Sequence, residues 1–508
     1  MTYEFTPRRR SVLAGSLAAT LGATLVGTRA AADEPTGLAA AEEPHGPFHV
    51  VDGLIDTTEE NALGLPQAEN TETVTIFAPG EQDLKFNHGV VLMPFRGRLY
   101  AQWQSSELDE DAPETIVTYA VSDDGLTWSE PIPLTEPRVD GYTSSGGWWT
   151  DGETLVAYLN VWPASLEPRG GSTEYVTSTD GRTWSEPQPV TDTNGDPVLG
   201  IIEQDTRALP SGRLLTAFHV QPGLFVKPYY TDDPLGLTGW TEGVFENQPN
   251  VPGEMSRELE PSWYLRPDGA VVMVFRDQGG NTMLKLGAVS EDDGETWTDS
   301  ELTNVPDSRT KQSAGALPDG TTFLVGNPTG TKNRYPLAVL LSADGVTFDV
   351  GYNLRDTDDL QERRHEGQYK SAGYSYPKSV LWDGNLYVAY GTNKEDVEYT
   401  RVPVEDLSLR RAPARLERPT AWADGGRTLH VAWDPPASAG DSPVSGYLVT
   451  ATSRSGRTVE VGVGRDVHRT TVPHLHPGRY QVSVAVENSY GVGPDSERSR
   501  WVVVAGRR

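Results

Sequence analysis

"SDDGLTWSEP" at residues 122–131 returns almost letter for letter as "STDGRTWSEP" at 178–187 and as "SEDDGETWTD" at 290–299. A looser copy, "SADGVTFDV", occupies 342–350, and a degenerate one, "YYTDDPLGLTGW", covers 229–240. The shared pattern is Ser, then Asp and Gly, then Thr and an aromatic residue. It describes a hairpin turn in which the Asp side chain accepts bonds from turn amides, the Gly takes a positive φ, and the Trp or Phe folds back between sheets. Asp124, Asp180, Asp292 and Asp344 are therefore read as structural, because a turn carboxylate of this kind is satisfied by its own backbone.

The repeat measures roughly 50 to 60 residues, a period that signals a propeller or another array. Ahead of the boxes lie strand pairs joined by tight Asp-Gly or Ser-Gly turns, such as "GWWTDGETLVAYL", "RALPSGRLLTAFHV" and "WYLRPDGAVVMVFRD". A third strand runs into the box and the stretch after it supplies a fourth. Four antiparallel strands per repeat with almost no helical periodicity predict an all-β chain built as a β-propeller. Six blades can be counted, near Trp128, Trp184, Trp240, Trp297, Phe348 and the final run "LYVAYGTNKEDVEYTRVPV". "FHVVDGLI" and "ETVTIFAP" precede them, enough strand for a further blade or for closing the ring. The boxes resemble Asp boxes, also called bacterial neuraminidase repeats, which occur alike in sialidases, other glycosidases, polysaccharide lyases and sugar-binding proteins.

The tail differs in kind. A Pro-bearing, charged linker, "LRRAPARLERPTA", is followed by about ninety residues with their own strand pattern, in which Trp433, Tyr447 and Tyr480 stand where a small sandwich needs buried aromatics. This segment resembles a fibronectin type III module. Residues 47–409 are thus expected to form the propeller and 413–505 the sandwich, whose His468, His474 and His476 are read as surface residues.

Composition narrows the chemistry. The 508 residues contain no cysteine, which excludes disulfides and thiolate chemistry, and the formal charge of −30 opposes nucleic-acid binding. Residues 1–32 run from three arginines through a small apolar stretch to an Ala-x-Ala site and resemble a twin-arginine export signal, so a secreted protein is expected. No later apolar run is long enough to span a bilayer. A monomer is expected, with no required cofactor and no dedicated metal-ligand spacing. Turn oxygens leave room for a structural calcium ion.

Arginine, lysine and histidine beside aromatic residues at the starts of inner strands suit recognition of a carboxylate-bearing sugar. The runs "EPSWYLRPDGAVVMVFRDQ", "PDSRTKQSAGALPDGTTFLVGNP" and "GYSYPKSVLWDGNLYVAYGTNKEDVEYTRVPV" resemble Asp-box propellers of the α-L-rhamnosidase and L-rhamnose-α-1,4-D-glucuronate lyase family. That resemblance implies seven blades and release of terminal L-rhamnose from glucuronic acid in acidic plant-type glycans, with β-elimination favoured. It also implies a catalytic histidine at His88 in "FNHG", where Gly89 replaces a second histidine found in many relatives; a histidine fastening the first blade is the structural alternative. His219 in "TAFH" is the second candidate. Arg207, Arg276 and Arg334 are assigned to the carboxylate and hydroxyls, with Lys311 and Lys378 as additions, an interblade ion pair being the alternative for each. A hydrolase, either an α-L-rhamnosidase or an exo-sialidase with an acidic or tyrosine nucleophile pair of which Glu260 is a candidate member, and a non-catalytic glycan-binding propeller stay open as other readings.

Overall fold

The computed structural model describes residues 46–505 except 252–253, 408–412, 437–438, 441–442 and 489–490. The export signal expected at 1–32 lies outside the described residues. Apart from one helical turn, Val404–Leu407, the named elements are strands. No helix is long and apolar enough to cross a membrane among the described residues.

Six antiparallel sheets form a β-propeller. Their innermost strands are Phe86–Phe95, Gly141–Thr150, the split pair Gly200–Ile202 and Arg207–Ala208, Glu258–Leu265, Ser313–Ala316 and Tyr374–Trp382. The second strands, such as Arg98–Ser106 and Leu155–Pro163, read as nearly continuous apolar runs because both their faces are buried. Leu99, Ala101 and Trp103 pack with Tyr387, Ala389 and Tyr399 of the sixth sheet, whereas Tyr100 packs with Trp148 and Leu155 of the second. Alternate residues of one strand thus serve two neighbours, as the two-residue side-chain period requires. Such clusters fill the space between every consecutive pair of sheets, the sixth and first included.

The seven blades implied by family resemblance are not what the described residues form. Glu72–Phe77 pairs antiparallel with Asp396–Pro403 and becomes the outermost strand of the sixth sheet. His49–Val50 pairs with Thr347–Phe348 at the fifth. Both early strand segments are therefore used in closing and bracing a six-sheet ring, and none is left to build another blade.

The repeated box folds as its residue types demand. Ser122 Oγ accepts from Gly125 N at 2.8 Å, and Asp124 Oδ1 accepts from Leu126 N and Thr127 N at 2.8 and 2.7 Å. Asp180, Asp292 and Asp344 accept from their own turns in the same way. In the degenerate copy Asp233 takes this part, and Trp240 is buried against Phe218. The turn amides draw the Asp124 carboxyl down to about 2.

The C-terminal sandwich packs Thr420–Ala423, Leu429–Ala432 and Arg469–Val472 against a sheet centred on Gly446–Ser453 and Gly478–Asn488. Trp433, Tyr447 and Tyr480 are buried in its core. His474 and His476 are exposed, whereas His468 is half-buried with Nε2 3.0 Å from the Tyr447 hydroxyl.

Candidate active site

Inner strands of successive blades run in the same direction beside the axis, so their early residues meet at one end of the ring. There His88, Ser145, Glu203, Glu260, Lys311 and Tyr376, one from each sheet or the residues leading into it, line an open cavity of about 500 Å³. Loops joining the second and third strands emerge at the same end and add Glu110, Asp111, Arg169, Arg334 and Lys394. Inner strands of the first, second, fourth and sixth sheets shift register here, at His88/Val91, Ser145/Gly147, Leu259/Ser262 and Ser375/Lys378. A bulge turns a strand residue out of the ladder and re-aims its side chain. Gly89 sits in the first of these bulges at φ 66°, and a Cβ there would lie 3.1 Å from Gln204 Nε2. That geometry accounts for glycine after His88.

At the centre, the Tyr376 phenol donates to Glu260 Oε1 while Arg276 Nη1 donates to Glu260 Oε2. Arg276 is oriented further by Gln278 Oε1 at 2.7 Å. Burial alone would raise the Glu260 carboxyl, but the charges of Arg276 and Lys311 outweigh it and hold the group below its ordinary value. Burial, followed by the Glu260 charge, pushes the phenol well above its ordinary value. At neutral pH this is a protonated phenol hydrogen-bonded to an ionised carboxylate, the arrangement in which a general base activates a hydroxyl nucleophile. Lys311 Nζ and Arg334 Cζ each lie 5.3 Å from the Tyr376 ring centroid.

The cavity gathers His88, His219, Arg276, Arg334 and Lys311 from the residues expected from sequence, and leaves out Arg207 and Lys378. Arg207 stacks on Trp263 at 4.1 Å and pairs with Asp205 at 3.0 Å. Lys378 is buried, 3.7 Å from the same Asp205. Asp205 thus holds both, within one blade for Arg207 and from a different blade for Lys378.

His88 packs against Tyr376 with ring centroids 4.1 Å apart, and both its nitrogens are covered without a hydrogen-bond partner. Burial, helped by Lys394, Arg334 and Lys311, lowers its pKa well below the ordinary value and keeps it neutral. His219 Nε2 lies 3.0 Å from Glu203 Oε1, and Lys311 Nζ lies 3.0 Å from Glu203 Oε2. Burial would raise Glu203, but Lys311 and His219 hold it far below the carboxylate range. Arg334 donates to Ser375 Oγ at 3.2 Å and has no carboxylate partner among the described residues. It is the lining cation best placed to meet an anionic ligand.

Sequence reasoning missed Tyr376, whose partner Glu260 is 116 residues away, and it missed Lys394, which pairs with Glu110. Its place in the last inner strand, directly before Pro377, was the available signal for Tyr376. Among the described residues no group of three or more His, Asp or Glu side chains is arranged to hold a metal ion.

Comparison with known proteins places this geometry in context. Residues 97–388 match the family model for the BNR repeat-like domain, and residues 413–501 match the fibronectin type III domain. A solved sialidase aligns at 15% identity and TM-score 0.51 over 91% of this chain and 49% of its own, so the chain spans about half the length of that relative. The Hadza microbial sialidase Hz136 aligns at 16% identity and TM-score 0.50, over 66% of this chain and 68% of its own. A protein of unknown function from Dyadobacter fermentans aligns at 17% identity and TM-score 0.47, over 66% and 99%. These likenesses concern the propeller fold. With its family model matched across most of the six sheets, the chain belongs to the BNR repeat-like domain family and carries a fibronectin type III domain behind the propeller.

Proposed function

We propose that the axial cavity cleaves a terminal, carboxylate-bearing sugar from a glycan, with Tyr376 as nucleophile and Glu260 as its base. The observation that carries this reading is the hydrogen bond from the Tyr376 phenol to a carboxylate whose other oxygen is held by Arg276. A neutral phenol approaches an anionic sugar without the repulsion a carboxylate nucleophile would meet, and tyrosine nucleophiles are the known departure from two-carboxylate glycosidases. In the first step the phenol oxygen bonds to the anomeric carbon, its proton passes to Glu260, and the glycosidic bond to the leaving oxygen breaks. The leaving oxygen takes its proton from solvent, which the open cavity admits. Water then releases the sugar from Tyr376. Arg334 is assigned to the sugar carboxylate, with Arg276 completing the positive wall.

A second reading, β-elimination from rhamnosyl-glucuronate, is favoured by one observation: the cations Lys311 and Arg334 lie together at the Tyr376 ring. In it the cations would acidify the uronate α-proton and a neutral base would remove it. One experiment separates the two. The protein is incubated with gum arabic and with a sialylated oligosaccharide, following free sugar and the near-ultraviolet absorbance of an unsaturated uronate. Hydrolysis releases sugar with no new absorbance, elimination produces both, and Tyr376→Phe lowers hydrolysis by at least ~10³-fold. Full activity in Tyr376→Phe would remove the nucleophile assignment; no release by the unaltered protein would favour a glycan-binding propeller.

A further inference from the structure

Positive φ angles in residues other than glycine, asparagine and aspartate are uncommon, and for bulky side chains they mark strain that some function or contact must hold in place. Asp111, Glu260, Tyr369, Tyr376 and Lys394 all line the axial cavity and have φ of 66, 49, 63, 58 and 57°. For four of them the compensating contact is internal. Asp111 holds Tyr142 and Arg169, Glu260 and Tyr376 hold each other, and Lys394 pairs with Glu110. Tyr369 is the exception. Its side chain makes no hydrogen bond, ring stack or cation contact among the described residues, and the residue is 63% exposed.

The backbone on either side of Tyr369 is nonetheless pinned. Gln368 N donates to Asp109 on the neighbouring mouth loop. Lys370 is buried, with Nζ donating to Lys85 O at 2.9 Å and to Glu395 Oε1 at 3.2 Å. The chain is thus fixed in a strained turn that holds an aromatic ring out at the cavity mouth, with nothing of its own to cover it. An exposed phenol ring offers a flat apolar face and a polar tip, the combination that stacks on the C–H face of a pyranose.

We propose that Tyr369 is a sugar-stacking platform for the unit next to the terminal one, so that the protein selects an oligosaccharide chain over an isolated acidic sugar. This rests on the reading of the cavity as a glycan-cleaving site, in which the charged terminal sugar occupies the cationic depth and its neighbour reaches the rim. Binding tests it independently of cleavage. Calorimetry on the full chain carrying Tyr376→Phe, so that the probe is not consumed during the titration, would compare two pairs of probes: sialyllactose against free sialic acid, and gum arabic oligosaccharides against glucuronate. Tyr369→Asn, which tolerates the left-handed backbone, should weaken the longer member of the pair that binds by about tenfold and leave the monosaccharide unchanged. Tyr369→Phe should behave as the protein with Tyr369 intact. Equal weakening of both members, no weakening, or no binding of either pair to the protein with Tyr369 intact would overturn the proposal. Free sugar followed alongside separates the two readings: its release by the Tyr376→Phe protein would defeat the nucleophile assignment, whereas the difference in affinity between paired probes decides the platform.

Discussion

Tyr376 shows what a residue gains from its surroundings. A free phenol is a weak nucleophile at neutral pH, and burial makes it weaker still. Only the ionised Glu260 gives its proton somewhere to go, and Glu260 stays ionised because Arg276 and Lys311 outweigh its burial. The dependence can be tested by its sign. Arg276→Met removes the nearest counter-charge and leaves burial to act, so the Glu260 pKa should rise. A base works deprotonated, so the acid limb of the kcat/KM profile should move to higher pH by the same amount, and an unmoved limb would show that Glu260 is not the base. Histidine was the natural nomination from sequence, because its ordinary pKa suits proton transfer. His88 differs in chemistry and in placement, since burial and neighbouring cations lower its pKa well below the ordinary value and its nitrogens are covered beneath the phenol it supports. The Glu260–Tyr376 pair could not be read from sequence because it joins different blades, whereas the suitability of Glu260 as a member of such a pair could.

Elements were more legible than residues. The box announces itself because its function is local: Ser122, Asp124 and Gly125 satisfy each other within a few residues, so the sequence pattern and the hydrogen-bond pattern coincide. The charge on the carboxylate contributes to that stability. Since the folded Asp124 has its pKa drawn down to about 2, its contribution is complete above the ordinary carboxylate range and is lost as pH falls through the folded value. Asp124→Asn keeps a neutral acceptor and removes the charge. Thermal unfolding should therefore show Tm lowered by about 1–3 °C at pH 7, with the difference shrinking below about pH 4 and gone below about pH 2. A difference that stays constant with pH would place the effect in shape rather than charge. The bulges on the inner strands carried a signal that went unread: Gly89 and Gly147 stand in the first and second, and Pro261 and Pro377 directly follow Glu260 and Tyr376 in the fourth and sixth, where the bulges aim those two side chains at each other.

For the whole molecule, the number of blades was the quantity that strand patterns left open, and closure decides it. A repeat specifies one sheet and its neighbours, but how many sheets complete a circle depends on where the first strand of the chain goes. Here Glu72–Phe77 crosses to the last sheet, where Thr73 meets Thr400 at 2.8 Å, Thr75 donates to Glu398 at 3.0 Å and Arg401 Nε reaches Glu72 at 2.9 Å. Ile76 adds its side chain to the cluster shared by the first and sixth sheets. The cavity depends on this junction, since His88 belongs to the first sheet and Tyr376 to the sixth, and their rings touch across it. Deleting the chain up to Gly80 would bare the edge of Asp396–Pro403 and leave a seam between those sheets. We expect Tm to fall by about 10 °C or more, self-association through the open edge, and a loss of turnover larger than any loss of soluble protein. Thr75→Pro, which disturbs the same ladder without removing it, should give a smaller drop in Tm and an intermediate loss of turnover. If both variants unfolded and turned over as the intact chain does, the ring would not be held shut by this strand, and the geometry joining His88 to Tyr376 would need another cause.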